Sequence, residues 1–426
     1  MRKSRVIALF SLGALLASAP EFTAAQSVGP NQDSLTIAIQ AAISDEPALQ
    51  AAGALVNLAQ SQYQLARANR RSSLGVQGSF GVSSADFGAG SSEIYPRSLA
   101  IAWERRIFDG GAALAQVSAA EFALAAQNGE FENARNQLVV EVVRAYSDLV
   151  VANASLRSAN DNLAAMQRYA NDATLQFNTG EIPISRKAEA QAAFAQAQSL
   201  VADSSGRMHA ANANLRRLTG RDFVNPTFDG LPNFIPQNLE LAREQALINH
   251  PLLAATKAKL AASEASVRAS FAGRYPNVSI SARAATVRDQ FLSGYKSDDI
   301  GAYVNFSVPL WTAGRTQANI ESARAIRDSL KAQNAAISRN IIYGVELAYA
   351  EFRTSQANLI AARANLNARQ VAKDSVEAEF RAGVRPIVDL LEAQKELTLA
   401  RANLAIAEGR TLSSRYQIMA AVGIIN

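Results

Sequence analysis

The sequence contains no cysteine and only two histidines, His209 and His250. The absence of cysteine excludes disulfides, thiolate metal ligands and a cysteine nucleophile, and two histidines are too few for a multi-histidine metal site. Aromatic residues make up only 7% of the 426 residues and charged residues only 19%, whereas alanine contributes about a fifth. With 49% hydrophobic residues the chain can form a large core, and its alanine content favours closely packed helices.

Sequence motifs of the common enzyme classes are also missing. The chain has no P-loop, no dinucleotide-binding glycine motif after a strand, no zinc-protease HExxH and no GxSxG. The net charge is only +5, and the paired arginines are dispersed and lack interleaved aromatic residues. The sequence therefore predicts a protein that is not an enzyme, uses no cofactor or metal, and does not bind nucleic acid.

The first 25 residues have the pattern of a secretory signal peptide. Arg2, Lys3 and Arg5 precede the short apolar run 6–17, and small residues at 23–25 precede the expected cleavage site. No cysteine follows that site, so an N-terminal lipid anchor on the predicted mature chain is excluded. No later apolar run reaches the roughly 18 residues of a transmembrane helix. The chain is therefore expected to be exported.

The remainder of the chain contains an internal repeat, with an offset of 203 or 204 residues between the two copies. Three motifs recur at this spacing, namely 43–47 at 247–251, 108–111 at 311–314 and 177–183 at 380–386. Such self-similarity indicates two copies of one structural unit. The predicted organisation is a signal peptide at 1–25, a first repeat at 26–220, a proline-containing linker at 221–237 and a second repeat at 238–426.

Each repeat has the same predicted order of elements. A helix over 34–71 is broken near Pro47, two β runs follow, a helix fills 111–178, and a last helix ends near residue 219. The second half repeats this at 238–275, 276–311, 314–381 and 386–422. A helix filling 111–178 is about 100 Å long at 1.5 Å per residue. Its Ala, Gln, Asn and Ser faces lack a sustained leucine seam, which favours a closed ring of helices over a two-stranded coiled coil.

Four alternating runs, at 74–80, 99–104, 278–284 and 302–310, are predicted to be β-strands. They approach the 9–11 residues that cross a bilayer as a tilted strand. Four strands cannot close a barrel, and open sheet edges do not occur in lipid. Either the protein is outside a membrane, or several copies share one barrel, with three copies giving twelve strands. Aromatic residues in or beside these runs are expected in interfacial belts or in ordinary packing, namely Tyr95, Trp103, Tyr303 and Trp311.

Over residues 34–423 the chain resembles the TolC family of outer-membrane efflux and secretion ducts. The most specific stretch is GVRPIVDLLEAQ at 383–394, and the turns FDGG at 108–111 and WTAG at 311–314 resemble the family's strand-to-helix step. The resemblance implies a homotrimer in which four strands per copy form a twelve-stranded outer-membrane β-barrel, continued by a long periplasmic α-helical barrel. It also implies contact with outer-membrane lipid, a periplasmic adaptor (membrane fusion) protein, and an inner-membrane ABC or proton-driven pump.

Asp389 and Glu392 are three residues apart and therefore lie on one helix face. The resemblance places both at the periplasmic entrance, where three copies supply a ring of six carboxylates that favours cations. The alternative is a solvated acidic face without a transport role.

A gate network is also implied by the resemblance. Arg385 matches a family position that bridges helices to hold the entrance shut, and Phe380 matches a position that commonly carries an aromatic residue. Arg186 stands where the family carries an acidic partner. Two arginines repel each other, so Glu181 or Asp389 is expected to take over that role.

The helical hairpin tips are the expected adaptor-docking surface. In each tip a glycine ends one helix and a proline opens the next. The tip residues are Gly180, Glu181, Pro183, Gly383, Val384 and Pro386. The alternative interpretation is ordinary turn chemistry between two helices.

The function predicted from these features is an outer-membrane exit duct of a tripartite export system. Type I protein secretion is slightly favoured over multidrug efflux, because of the 383–394 segment and the missing lipid-anchor cysteine. The alternatives are a soluble periplasmic or surface coiled-coil scaffold and, less favoured, an exported enzyme on a helical frame.

Overall fold

A computed structural model describes residues 34–86, 91–228 and 238–425 of the chain. The predicted signal peptide at 1–25 and part of the predicted linker, 229–237, lie outside the described residues. Among the described helices, none combines the length and the apolar character that crossing a membrane requires.

Eight α-helices are described, and they match the predicted repeat. The first four are α1 (Leu35–Asp45), α2 (Pro47–Ala68), α3 (Ala112–Asn178) and α4 (Ile184–Thr219). Their counterparts are α5 (Leu239–Asn249), α6 (Pro251–Phe271), α7 (Arg315–Arg381) and α8 (Ile387–Val422). Each second-repeat helix begins 203 or 204 residues after its counterpart, so the order of helices predicted from the sequence is confirmed.

Local chemistry sets the helix ends. Pro47 and Pro251 are the first residues of α2 and α6, where a missing N–H costs no hydrogen bond. At the start of α3 the Asp109 carboxylate accepts hydrogen bonds from the backbone N–H groups of Gly111 and Ala113, at 3.0 and 2.9 Å. Neither 67-residue helix, α3 or α7, contains a proline, which allows both to continue without a break.

Four strands form one antiparallel sheet, in the order β1 (Ser73–Phe80), β4 (Arg97–Phe108), β5 (Asn277–Arg288), β6 (Lys296–Ser307). The four predicted β runs are confirmed as strands, with corrected ends. The last run was predicted to reach residue 310, but β6 ends at Ser307, because Pro309 has no N–H to donate to a ladder. The segment between β1 and β4 also contains a short hairpin, β2 (Ser83–Asp86) with β3 (Ser91–Ile94), that the sequence did not predict.

The two faces of the four-stranded sheet differ in polarity. The register places Leu74 opposite Trp103 and Val76 opposite Ile101, so these apolar residues share one face. On the same face, Ile280 of β5 lies opposite Val304 of β6. The other face carries polar side chains such as Ser281 and Asn305, which are hydrogen bonded at 3.0 Å. This alternation is typical of a barrel strand with lipid on one side and water on the other.

The long helices form one layer with two uncovered edges. Near the sheet the order is α2, α3, α6, α7, and near the hairpin tips it is α4, α3, α8, α7. One edge is therefore α7, and the other consists of α2 and α4. The sheet is open in the same way, at β6 and at β1. Because unpaired strand edges are costly, these edges are suited to pairing with neighbouring copies of the chain.

The layer is packed through small residues and one large aromatic cluster. The hydroxyls of Ser355 on α7 and Ser414 on α8 lie 2.8 Å apart in a buried seam. Tyr146 of α3 is fully buried, and its ring packs edge-on against the ring of Phe223, with 6.2 Å between the ring centroids. Its hydroxyl donates to the Thr227 carbonyl oxygen and accepts from the Thr227 N–H. Tyr146 therefore fixes the described start of the inter-repeat segment to the middle of α3.

Candidate functional site at the helical hairpin tips

The α3–α4 tip ends in a closed hydrogen-bonded turn. Gly180 adopts φ +80°, its N–H donates to the Phe177 carbonyl at 3.1 Å, and the Glu181 N–H donates to the Gln176 carbonyl at 2.9 Å. These two bonds define a Schellman motif, which satisfies carbonyls at the helix end and favours glycine at the left-handed position. Pro183 follows in an extended conformation as the N-cap of α4.

The α7–α8 tip repeats this geometry. Gly383 has φ +75°, its N–H donates to the Phe380 carbonyl at 2.9 Å, and the Val384 N–H donates to the Glu379 carbonyl at 2.9 Å. Pro386 is the extended N-cap of α8. Val384 is 74% exposed, so this turn presents an apolar side chain to its surroundings. Both tips are rigid turns, and the predicted docking residues occupy equivalent positions in them.

A buried cluster supports the tips from behind. Leu390, Ile387 and Leu391 of α8 pack with Tyr169 and Ala173 of α3. Phe380 is half-buried and packs against this cluster, so its ring is part of the hydrophobic support of the α7–α8 hairpin.

Arg385 is held between two carboxylates at the α7–α8 tip. Its Nε donates to the Glu379 carboxylate at 2.5 Å, and its Nη1 donates to the Asp389 carboxylate at 3.2 Å. The hydrogen bond and charge of Glu379, followed by those of Asp389, raise the pKa of the Arg385 guanidinium. Asp389 was one of the two partners expected from the sequence, whereas the other, Glu181, forms no ion pair within the described residues. The sequence analysis did not predict that Glu379 pairs with Arg385.

Arg186 has a separate partner in the first repeat. Its guanidinium pairs with Glu189 one turn further along α4, at 3.1 Å. At the repeat offset Arg186 corresponds to Asp389, and Ile182 corresponds to Arg385. The charged network around Arg385 therefore has no equivalent at the α3–α4 tip.

The two predicted entrance carboxylates share a face of α8 but differ in their neighbours. Asp389 is paired with Arg385, while Glu392 is largely exposed and lies 3.9 Å from Lys395. Each carboxylate thus has a cation nearby, which reduces the negative field of the pair. Across residues 34–86, 91–228 and 238–425 no group of three or more acidic, histidine or cysteine side chains is arranged to hold a metal ion.

A second charged group on α7 was missed by the sequence analysis. Glu377 pairs with Lys373 one turn before it and with Arg381 one turn after it. The hydrogen bond from Lys373 lowers the pKa of Glu377. Burial opposes the charge on Lys373, but the hydrogen bond and charge of Glu377 outweigh it, so the pKa of Lys373 is raised. The i, i+4 spacing of these three residues was the available signal.

This second group also acts on the neighbouring long helix. The hydroxyl of Tyr169 on α3 has a raised pKa, first because it is buried and then because the negative charge of Glu377 is close. The charge of Glu377 on α7 therefore acts on Tyr169 of α3, although α8 lies between α3 and α7 in the layer.

Comparison with known proteins agrees with this architecture. Residues 38–221 and 242–424, one segment in each repeat, match the family described as "Outer membrane efflux protein". The chain belongs to the outer membrane efflux protein family. Its members are outer-membrane channels that extend into the periplasm, form trimers and transport without catalysing a reaction.

Individual relatives are distant but align over most of their length. The outer membrane efflux protein BepC of Brucella suis is 25% identical over 76% of this chain and 72% of its own. Protein CyaE of Bordetella pertussis is 26% identical over 91% of this chain and 83% of its own. Among solved structures, CusC superposes with a TM-score of 0.80 at 20% identity, over 91% of this chain and 92% of its own. The CmeC channel of Campylobacter jejuni superposes with a TM-score of 0.79 at 16% identity, over 91% of this chain and 85% of its own.

Family membership explains the two uncovered edges of the described layer. In a three-fold ring, the α7 and β6 edge of one copy adjoins the α2, α4 and β1 edge of the next. Such a ring closes a twelve-stranded barrel above and a barrel of helices below. The channel works in the outer membrane with a periplasmic adaptor and an inner-membrane pump, as its family does.

Proposed function

We propose that this channel is an exit duct whose periplasmic entrance is held closed by the charged network of the α7–α8 hairpin. The supporting observation is the asymmetry between the two tips. Their backbones are equivalent, yet Arg385 has two carboxylate partners and its counterpart in the first repeat is the uncharged Ile182. Only three of the six hairpins in a trimer would then carry the lock.

Such a lock suits a switch driven by a partner protein. Arg385 and Glu379 are both partly exposed, so an approaching charged surface can compete for either side chain. The Glu377 group, whose members Lys373 and Glu377 are 17% and 22% exposed, is better shielded from water. In this proposal the network around Arg385 responds to the adaptor, and the Glu377 group holds α7 in a fixed position relative to α3.

Single-channel conductance in planar lipid bilayers tests the lock. Arg385→Gln removes the cation shared by Glu379 and Asp389 and is expected to raise the conductance of the purified trimer. Arg186→Gln is the matched control, because it removes one exposed ion pair from the equivalent tip. Equal conductance for wild type and Arg385→Gln, or an equal increase for Arg186→Gln, would contradict the proposed lock.

The proposed adaptor site consists of the two tips, with Val384 and Glu181 at equivalent positions of the turns. The chain has no native cysteine, so single cysteines at these positions give unambiguous crosslinks in intact cells. Capture of a periplasmic adaptor from both positions supports docking at the tips. Crosslinks that join only copies of this channel would contradict it.

For the cargo, we keep the preference for secreted protein over drugs, and it rests on the 383–394 segment and the absence of a lipid-anchor cysteine. The test compares the wild-type and deletion strains in two assays. Loss of a protein from the culture medium with unchanged drug susceptibility supports the preference. Increased susceptibility to drugs or metal cations with an unchanged set of secreted proteins overturns it and leaves the duct assignment intact.

A further inference from the structure

Three arginine side chains at the helix-proximal end of the sheet have no partner in the part of the chain that the structure describes. Arg70 and Arg71 lie in the turn between α2 and β1, and Arg105 lies near the end of β4. All three are exposed, and their guanidinium groups form no ion pair or hydrogen bond with the described residues. Their neighbour Arg106, by contrast, lies 3.9 Å from the Asp109 carboxylate.

Arg105 belongs to the apolar face of the sheet. It follows Ile101 and Trp103 at the two-residue period of β4, and Glu104 is on the opposite face. The pairing of Ser73 with Glu104 fixes the start of β1, and Arg71 precedes Ser73 by only two residues. Arg71 and Arg105 are therefore within about two residue steps of each other along adjacent strands, each step about 3.3 Å. Together with Arg70 they form a group of three cations at the helix-proximal end of the sheet, with Arg105 on its apolar face.

The other end of the same strands is built differently. There Arg97 pairs with Asp289 at 3.4 Å, and Arg288 pairs with Asp298 at 2.9 Å. The arginines at the end remote from the helices are thus neutralised within the chain. Arg70, Arg71 and Arg105 lack a carboxylate partner of this kind within the described residues.

A neighbouring copy does not supply the missing carboxylates from the strand that would adjoin β1. Residues 300–314, which include most of β6 and the turn into α7, contain no charged side chain. On the arginines' own side, residues 47–72 contain no aspartate or glutamate. The segments that flank Arg70 and Arg71 therefore supply no counter-charge.

We propose that Arg70, Arg71 and Arg105 bind the phosphate group of anionic glycerophospholipids in the periplasmic leaflet of the outer membrane. Arginine matches phosphate with paired N–H donors and is only weakly hydrated, which suits a membrane interface. Leu74 and Trp103 lie next to Arg105 on the apolar face of the sheet and provide contact for the acyl chains and the glycerol region. The inference rests on the membrane location of the family and is independent of the gate and of the cargo.

Tryptophan quenching tests this proposal at the site itself. Trp103 and Trp311 are the only tryptophans, so Trp311→Phe leaves a single reporter beside Arg105. The trimer is placed in phosphatidylcholine vesicles that contain a small fraction of brominated lipid with either a phosphatidylglycerol or a phosphatidylcholine headgroup. Brominated phosphatidylglycerol is expected to quench Trp103 as strongly as if the mole fraction of this lipid beside the tryptophan were about five times that in the vesicle. Attraction between one arginine and an anionic lipid surface increases the local lipid concentration by about this factor.

Matched variants separate charge from structure. Replacing all three arginines by glutamine is expected to abolish the preference, whereas replacing all three by lysine retains part of it. Arg97→Gln, at the opposite end of β4, is expected to leave the preference unchanged. The proposal is overturned if phosphatidylglycerol has no preference in the parent, if the glutamine variant keeps it, or if Arg97→Gln removes it equally. It is also overturned if inorganic phosphate in the buffer abolishes the preference, because the site would then bind soluble phosphate.

Discussion

Replacing Gly423 by alanine is expected to destabilise the channel more than the same replacement at Gly220. The two glycines are repeat counterparts, since Gly220 ends α4 and Gly423 ends α8, both in the left-handed conformation with φ +69° and +80°. They differ in what an added methyl group would meet. At Gly220 the nearest atom is the side-chain oxygen of Asp45 at 3.7 Å, whereas at Gly423 the backbone oxygen of Asn249 lies at 2.7 Å.

The expected magnitudes follow from these contacts. A side chain in the left-handed conformation costs about 1–2 kcal/mol at either position. At Gly423 the clash with the backbone of Asn249 and His250 adds about 1–3 kcal/mol, because neither group can rotate away. The totals are about 1–2 kcal/mol per chain for Gly220→Ala and about 2–5 kcal/mol for Gly423→Ala. With an unfolding entropy of about 2.1 cal/mol/K per residue, these correspond to losses of about 1–3 °C and 2–6 °C in Tm.

Thermal unfolding of the purified trimer, followed by far-ultraviolet circular dichroism, measures both shifts. Gly206→Ala is the third variant, because Gly206 is inside α4 and its added methyl group would lie in open space. Alanine there is expected to stabilise by up to about 1 kcal/mol. Equal losses for Gly423→Ala and Gly220→Ala would refute the steric argument, and no loss for either would refute the backbone argument.

Three further predictions concern single side chains. Tyr146→Phe removes the hydroxyl that is hydrogen bonded to both the carbonyl and the N–H of Thr227, and it is expected to cost about 1–3 kcal/mol, measured by the same thermal assay. An unchanged Tm would show that the segment is not anchored there. Glu377→Gln removes the carboxylate closest to the well-shielded Lys373, which keeps only the Asp374 carboxylate at 3.5 Å, and is expected to increase single-channel conductance. A decrease or no change in conductance would contradict the role proposed for this group in holding α7 against α3. His250 has a pKa lowered by burial from 6.5, so the native state disfavours its protonation and stability is expected to fall as pH drops below about 6.5. Replacing His250 by asparagine should remove that component of the pH dependence of Tm, and an unaltered pH profile would assign it elsewhere.

The gate region shows how far sequence patterns reach. Position by position, the match to a known family located Arg385 and Asp389 in the tip, and the absence of an acidic residue at 186 was visible at once. The ion pair between Arg385 and Glu379 was not predictable from the sequence, because it joins the last turn of α7 to a residue beyond the Schellman turn. Such a contact depends on the path of the turn and not on helical spacing. The pairing of Lys373 with Glu377 was visible as spacing, but its proximity to Tyr169 on α3 was not.

The sequence predicted the existence of the four strands of the sheet but not their lengths. Alternation identified all four, since it is a local property of each run. Their lengths depend on the partners across the sheet, so β5 and β6 extend beyond the predicted runs to Arg288 and Lys296, which are paired with each other. The β2–β3 hairpin was missed because Ser-rich runs of four residues carry no apolar alternation.

By itself the sequence determined the two repeats, the eight helices and the positions of their ends, because prolines, left-handed glycines and uninterrupted helix-forming runs act through local backbone chemistry. Only the tertiary structure decided which helices are neighbours, which edges stay uncovered and which charges are paired. Those outcomes depend on groups that are far apart in the chain and meet only when α3, α7 and α8 pack side by side. The unpaired arginines at the helix-proximal end of the sheet belong to this second class, since their lack of a partner within the described residues is a property of the folded chain.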